Sequence, residues 1–353
     1  MIREGIQKLV DGSILSSAEA QDALLEIMAG QATDAQIAAF LTALRMRGET
    51  VDELTAFARV MREKCIKIHP SVNGRLLDTC GTGGDRIKTF NVSTAAAFVI
   101  AGAGATVAKH GNRSVTSKSG SADVLECLGA NLTVSPEEVQ RAIEEVGIGF
   151  MFAPAFHPAM KHAVAARKQV GIRTVFNILG PLSNPASANA QLVGVYDYRL
   201  TERLAHVLKD LGCEEAMVVH GVDGLDEIST LGKTVISHLK AGEVVTRETV
   251  PRDFGVKQAS LEALQGSTSE ENSEILFKIL NGTAAEGDAK TDIVLINAAA
   301  GLIVGGKTQD FSEGIDLTKE SIRSGAAYKK LKALVRFTRG DMSKLERLEQ
   351  KYA

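Results

Sequence analysis

Three separated segments of the chain carry residue types suited to chemistry on a polyanion. The first is Asp78-Thr79-Cys80-Gly81-Thr82-Gly83-Gly84-Asp85, whose three glycines remove the Cβ atoms that would keep an anion away from consecutive backbone N–H groups. Shortly after it, Asn91-Val92-Ser93-Thr94 opens a helix and brings hydroxyls and N–H groups to the positive end of the helix dipole. The motif is not the G-x-G-x-x-G fingerprint, because its last two glycines are adjacent, and it lacks the lysine of a P-loop. Taken alone it fits a capped turn as well as a phosphate site. The second segment, Lys109 to Ser121, holds three cations and five hydroxyls within thirteen residues. The third, Gly221-Val222-Asp223-Gly224-Leu225-Asp226-Glu227, ends in an adjacent acidic pair. Such a pair suits Mg²⁺, which is held by one or two carboxylates together with water and substrate phosphates. An isolated Asp-Glu pair is more often a solvated turn, so its position decides.

That position follows from the elements around it. From Arg75 the pattern alternates short strands (75–79, 106–109, 149–152, 192–196, 216–220) with helices (about 93–103, 119–128, 136 onward, 200–211). This β-α-β-α rhythm predicts an α/β domain with a central, mostly parallel sheet flanked by helices. In such a sheet the carboxyl ends of neighbouring strands share one crevice, and all three segments follow strands, so they should face a common ligand. Residues 231–260 are β-like and should add antiparallel strands. The tail returns to helices at about 269–281, 290–304 and 315–338. Residues 1 to about 68 carry only helical periodicity, with capping boxes at Thr33/Gln36 and Thr50/Glu53 and stops at Gly30 and Gly48. This gives a small all-helical domain over 1–72, a linker at His69 to Gly74 and a large domain over 73–353. The stretch from Pro158 to Val170 reads as helix and Phe176 to Pro185 as a turn-rich connection. As a long insert between strands, the two together are a functional-loop candidate able to cross back to the helical module.

Composition narrows the class. With 40 basic and 43 acidic side chains in 353 residues, net −3, nothing in the bulk charge draws the chain to nucleic acid or an anionic membrane. Any bound anion must be met by local groups. Tryptophan is absent and aromatics make up 5%, which argues against stacked-base recognition. Cys65, Cys80, Cys127 and Cys213 form no CxxC pair, so neither a zinc site nor a disulfide framework is indicated. With no apolar leader at the N-terminus and no apolar stretch long enough to span a bilayer, a cytoplasmic enzyme is the expectation. Small apolar positions at Ala35, Ala38, Ala39 and Leu41 fit a homodimer face or internal packing equally well.

Polyphosphate, divalent metal and the lack of a Walker lysine together point to a transferase with a phosphate or pyrophosphate leaving group. The motifs then extend the reading: GTGGD at 81–85, TFNVST at 89–94, KHGNR at 109–113, SGSADVLE at 119–126, FHPAM at 156–160, RTVFNILGPLSNP at 173–185 and Asp226-Glu227. In this order, over nearly the whole chain, they resemble the anthranilate phosphoribosyltransferase family, of nucleoside phosphorylase/phosphoribosyltransferase fold. The resemblance implies transfer of phosphoribose from phosphoribosyl pyrophosphate to anthranilate in tryptophan biosynthesis, with Mg²⁺, two ions, as cofactor. It implies a phosphoribosyl pyrophosphate cradle of Gly81, Gly84, Asp85, Thr89, Asn91, Val92, Ser93, Thr94, Lys109, His110, Gly111, Asn112, Arg113, Ser114, Val115, Thr116, Ser117 and Ser121. It also implies metal held by Ser93, Asp226 and Glu227, and anthranilate near Gly81, Asn112, His157 and Arg167. Lys109 and Arg167 would be the catalytic pair, with Arg167 facing the anthranilate carboxylate. On residue type alone Arg167 is an ordinary solvent-facing helix arginine, and its role rests on the resemblance. Arg86-Ile87-Lys88 replaces the glycine-containing stretch that the family leads one to expect there. The family also implies a homodimer through the N-terminal helical domain, and no nucleic-acid or membrane partner. Two alternatives stand beside this reading. A pyrimidine nucleoside phosphorylase of related architecture would use phosphate and need no acidic metal pair; a non-catalytic, nucleic-acid-binding paralogue sits poorly with the net charge.

Overall fold

The computed structural model describes residues 1–83, 87, 89–114, 119–285 and 287–353. Four helices come first, α1 (Ile2–Val10), α2 (Ser17–Met28), α3 (Asp34–Arg47) and α4 (Val51–Lys64). Capping boxes at Ser16/Glu19, Thr33/Gln36 and Thr50/Glu53 start the last three. Glu53 serves the module more widely. Besides its own cap, its buried carboxylate accepts from the Leu15 N–H at 2.9 Å and pairs with Arg47 at 2.5 Å. Burial alone would raise this carboxyl, but the Arg47 and backbone hydrogen bonds outweigh it and hold Glu53 below the usual range. Glu53→Ala leaves those donors without an acceptor and should cost about 3–5 kcal/mol. Chemical denaturation measures it, and a loss within the scatter of surface substitutions would contradict this role.

The larger part follows with β1 (Leu76–Gly81), α5 (Val92–Gly102), β2 (Thr106–Gly111), α6 (Ser121–Cys127), α7 (Pro136–Val146) and β3 (Ile148–Phe152). Next come α8 (Ala153–Phe156), α9 (Lys161–Val170), α10 (Val175–Leu182), β4 (Ala190–Gly194), α11 (Arg199–Asp210) and β5 (Glu215–Gly221). The chain continues through β6 (Thr234–Lys240), β7 (Glu243–Thr249), α12 (Leu261–Leu264), α13 (Ser269–Leu280), α14 (Ala289–Val304), α15 (Phe311–Arg323), α16 (Ala326–Phe337) and α17 (Met342–Lys351). The seven strands lie in the order β3-β2-β1-β4-β5-β6-β7, parallel from β3 to β5 and antiparallel at β6 and β7. The mostly parallel sheet and its antiparallel extension are as the sequence predicts.

Two departures have local causes. Phe176 to Leu182, part of the connection read as turn-rich, is helical: Asn177 Oδ1 accepts from the Thr174 N–H at 3.0 Å, and Val175, Phe176, Ile178, Leu179 and Leu182 are all buried. Pro181 falls at its last turn, where a missing N–H costs one bond. The helix expected over 315–338 is two, broken at Gly325 with φ +70°, and α17 beyond them was not anticipated.

One apolar cluster covers one face of the sheet with α5 and α14, both buried nearly all round. A second runs from the N-terminal helices through α9, α10 and α11 to Val193 and Val218 on the opposite face. α9 packs on α2 and α3, and α10 on α3 and α4. Leu41 belongs to this core, whereas Ala35 and Ala39 are exposed. Among the described residues no helix is long and apolar enough to cross a membrane.

Candidate active site

Strand order reverses between β1 and β4, and ligands in open α/β sheets bind outside the carboxyl ends of the strands at such a point. Gly81 and Gly194 stand side by side there as register partners. The Thr82 N–H donates to the Gly194 carbonyl at 2.9 Å, and the Thr82 hydroxyl accepts from the Tyr196 N–H, so the glycine loop is laid across the strand end. The loop after β5 closes over the pair. Its Asp226 Oδ2 accepts from the Gly83 N–H at 2.9 Å, and Glu227 Oε1 accepts from the Ser93 N–H at 3.2 Å. A carboxylate from 134 residues away thus caps the N-terminus of α5, taking a donor that the sequence reading left for the ligand. Both glycines are required for this approach: a Cβ on Gly194 would lie 1.5 Å from the Asp226 carbonyl oxygen, and one on Gly81 would lie 2.4 Å from Asp226 Oδ2.

Lys109 closes the arrangement from below. It is 3% exposed at the end of β2, and its Nζ donates to the Thr79 carbonyl and, at 3.4 Å, to Ser93 Oγ. Burial lowers its pKa and the nearby Asp78 carboxylate opposes the shift. Asp78 has no exposed surface and is held by the His110 N–H at 3.2 Å and by Asn184 Nδ2 at 2.7 Å. The second Asn184 N–H reaches the Ala108 carbonyl at 2.9 Å. Asp78 and Asn184 were not singled out from sequence, although each lies inside a quoted motif. Their signal was a polar residue in an apolar strand or connection.

The remaining cradle residues divide. Asn91 joins the glycine-loop side to the second segment through Ser119 at 3.2–3.3 Å and to Asn272 of α13 at 3.2 Å. The Asn112 carbonyl accepts from Ser121 Oγ, and the Ser114 N–H donates to Asp123 at 3.0 Å. Gly111 faces Ser121 and Phe150 with no room for a Cβ. Thr89 forms an isolated bridge with Gln265. Val92 is buried in the core, so only its backbone can serve a ligand, and the buried Thr94 hydroxyl has no partner among the described residues. Arg113 departs most from expectation: it turns away to α6, pairing with Asp123 at 3.3 Å and with Glu126, its guanidinium over Phe152. Two acidic side chains one turn apart on α6 outcompete the crevice for it. Gly84, Asp85, Arg86, Lys88, Val115, Thr116 and Ser117 lie outside the described residues.

Beside this crevice, α10 organises a second set. The His110 and His157 rings pack against each other, tilted by 50° with centroids 5.0 Å apart, and each makes a backbone hydrogen bond to this segment, at Gly180 and Ser183. Both Nε2 atoms are buried without a partner among the described residues. Burial, with the neighbouring ring adding for His110, takes the pair down to about 3 for His110 and about 4 for His157. Arg167 on α9 lies half-buried with its guanidinium 5.1 Å from the centroid of the Phe176 ring on α10. It has no ion pair among the described residues, and burial lowers its pKa. A guanidinium keeps its charge even so, and an unpaired one over an aromatic ring suits a carboxylate ligand.

The carboxylates also fit Mg²⁺. Asp226 is partly buried with no ion pair within 4 Å among the described residues, and desolvation pushes its carboxyl up, the condition a cation would relieve. No group of three His, Cys, Asp or Glu side chains gathers among the described residues. A metal here would therefore complete its shell from water and substrate oxygens, as Mg²⁺ does.

Switch-point crevice, helical module and acidic loop define an α/β transferase with a helical bundle domain. Residues 3–65 match the glycosyl transferase family, helical bundle domain, and residues 73–328 the glycosyl transferase family, a/b domain. An anthranilate phosphoribosyltransferase of Acetivibrio thermocellus is 53% identical over 97% of this chain and 98% of its own length. The crystal structure of that enzyme from Thermus thermophilus superposes with TM-score 0.89 at 41% identity, covering 95% of this chain and 99% of its own. The Saccharomyces cerevisiae enzyme in complex with PRPP and Mg gives 0.88 at 32% identity, and in complex with 4-fluoroanthranilate 0.86 at 30%, each covering 96% of this chain and 97% of its own. The chain belongs to the anthranilate phosphoribosyltransferase family.

Proposed function

We infer that the protein transfers the phosphoribosyl group of phosphoribosyl pyrophosphate to the amine of anthranilate, giving N-(5-phosphoribosyl)anthranilate and pyrophosphate, in tryptophan biosynthesis. The observation that carries this reading is the meeting of Gly83, Ser93, Lys109, Asp226 and Glu227, from three separated segments of the chain, at one strand-end crevice. The yeast relative's complexes with PRPP and Mg and with 4-fluoroanthranilate support the substrate pair.

As the bond from the ribose C1′ to the pyrophosphate oxygen breaks, positive charge grows on the ring and negative charge on the leaving group. Catalysis then needs donors at the leaving oxygens and an aligned amine. Ser93, Asp226 and Glu227 would hold Mg²⁺, two ions in this reading, which when bound neutralises pyrophosphate charge. Lys109 acts from beneath: its buried cation orients Ser93 Oγ and the Thr79 carbonyl, and so keeps α5 and the glycine loop together. Arg167 takes the anthranilate carboxylate and turns the amine toward C1′. The aryl amine is uncharged at neutral pH, so it attacks with its own lone pair and releases its proton afterwards. His157, which this reading places near anthranilate, is neutral at pH 7 and does not compete for the carboxylate. A homodimer through the helical module (1–72, with helices from 160–185) and a cytoplasmic location belong to this reading. Exposed Ala35, Ala39 and Met46 on α3 support the first.

Incubation with anthranilate, phosphoribosyl pyrophosphate and Mg²⁺ should extinguish anthranilate fluorescence, with no reaction when any one is omitted. Cleavage of a pyrimidine nucleoside by phosphate would point to a phosphorylase instead. Arg167→Ala should raise the anthranilate KM roughly ten- to hundredfold, the worth of a charge-assisted pair of about 1.5–3 kcal/mol, and leave that of phosphoribosyl pyrophosphate nearly unchanged. Equal changes in both would remove its role.

The two histidines also set a pH response. Their folded pKa values lie below the unfolded value of 6.5, so the unfolded chain binds protons first. Stability is full above about pH 6.5 and falls as pH drops toward 4, by up to about 1.4 kcal/mol per pH unit for each. Thermal unfolding at pH 7 and pH 5 checks this, and His157→Asn should flatten the slope.

A further inference from the structure

Helix α14 is buried at every residue from Ile293 to Val304, and all of these are apolar or glycine except Asn297. Asn297 has no exposed surface, in the middle of a helix packed on α5 and the sheet. An apolar side chain would suit that environment better. A buried amide is retained where its hydrogen bonds do something an apolar group cannot. Here all three partners are defined. Oδ1 accepts from the Ile228 N–H at 2.9 Å, Nδ2 donates to the Ile228 carbonyl at 3.0 Å, and the other N–H returns to the Ile293 carbonyl of its own helix at 2.8 Å.

Ile228 directly follows the acidic pair. One planar side chain thus grips both backbone groups of the residue next to Glu227, and does so from a rigid element 69 residues away. Leu225 and Ile228, on either side of Asp226-Glu227, are both fully buried, so the two carboxylates ride on a short arch pinned at each foot. The far foot is braced again where Ser229 N–H donates to Thr234 Oγ1 and Ser229 Oγ donates to Asp223, at 2.9 and 2.5 Å. On the crevice side the Gly83 and Ser93 N–H groups donate to the carboxylates.

We propose that Asn297 is a positioning residue of the metal site. Its amide locks the backbone at Ile228, and thereby holds Asp226 and Glu227 in the register that reaches Gly83, Ser93 and the metal. It touches neither substrate nor metal. The inference rests on reading Asp226 and Glu227 as metal ligands, and its test separates the two.

Mn²⁺ serves as the probe, titrated against the full-length protein without pyrophosphate and followed by the electron paramagnetic resonance signal of free Mn²⁺. Wild type should bind, and the double variant Asp226→Asn, Glu227→Gln should not. If that variant binds as wild type does, the metal reading falls and the proposal with it. Asn297→Leu should weaken Mn²⁺ binding roughly ten- to hundredfold, as loss of a ligand-orienting partner does. Leu302→Ala, a cavity at the far end of the same helix, is the control for lost stability: it should lower the melting temperature at least as much and leave Mn²⁺ affinity unchanged. Should Asn297→Leu fail to fold, Asn297→Ser replaces it, since a serine there bonds back to its own helix and releases Ile228 alone. Wild-type Mn²⁺ affinity in the Asn297 variant, or a loss matched by Leu302→Ala, would overturn the positioning role.

Discussion

Asp226→Asn combined with Glu227→Gln is expected to lower turnover roughly 10²- to 10³-fold while leaving a folded protein, because both substitutions keep shape and remove charge. An asparagine oxygen can still accept from the Gly83 N–H, and a glutamine oxygen from the Ser93 N–H, so the loop stays in place. What disappears is the pair of negative charges that would hold Mg²⁺ against pyrophosphate. Burial already disfavours the ionised form of Asp226, so the ligand-free variant should be at least as stable as wild type. The two effects therefore point in opposite directions: lower activity, undiminished melting temperature. Initial rates across a Mg²⁺ titration, with a thermal melt of the free protein, measure both. An unchanged Mg²⁺ dependence would remove the carboxylates from the metal site.

Gly194→Ala should be nearly as damaging, although glycine 194 carries no chemistry. Its Cβ would sit 1.5 Å from the Asp226 carbonyl oxygen and 2.4 Å from the carbonyl carbon, contacts that only a shift of the loop backbone can relieve. A displacement on the order of 1 Å at a positioning group is worth about a hundredfold in rate. Gly81→Ala provides the contrast. There the clash is with Asp226 Oδ2, the end of a side chain that can rotate, so the backbone path survives and the loss should be smaller. Both variants are read by kcat and by the Mg²⁺ concentration for half-maximal rate. Near-normal turnover in Gly194→Ala would contradict the close approach on which the site is built.

Much of this site was legible in the sequence because its functional groups follow strands. Once 75–79, 106–109 and 216–220 are read as strands of one mostly parallel sheet, their following loops must share one rim. The all-helical start was equally plain, since Thr33/Gln36 and Thr50/Glu53 mark their own helix boundaries. What stayed hidden depends on partners remote in sequence. Gly194 looks like any strand-end glycine until Asp226 is seen lying on it. Asn297 is one amide in an apolar helix, and Asp78 becomes a brace only when Asn184, 106 residues on, is brought beneath it. Arg113 was assigned to the cradle by its place in KHGNR, but local competition from Asp123 and Glu126 decides where its guanidinium goes. Phe176 to Pro185 read as turn-rich because local signals cannot weigh the burial of Val175, Phe176, Ile178, Leu179 and Leu182.

A crystal structure with phosphoribosyl pyrophosphate, Mg²⁺ and an unreactive anthranilate analogue tests the central claim most directly. Pyrophosphate should lie across the glycine loop between β1 and β4, metal on Asp226 and Glu227, and the aromatic carboxylate on Arg167 with its ring near His157. Pyrophosphate bound away from Gly83 and Ser93, or metal bound without either acidic side chain, would contradict it.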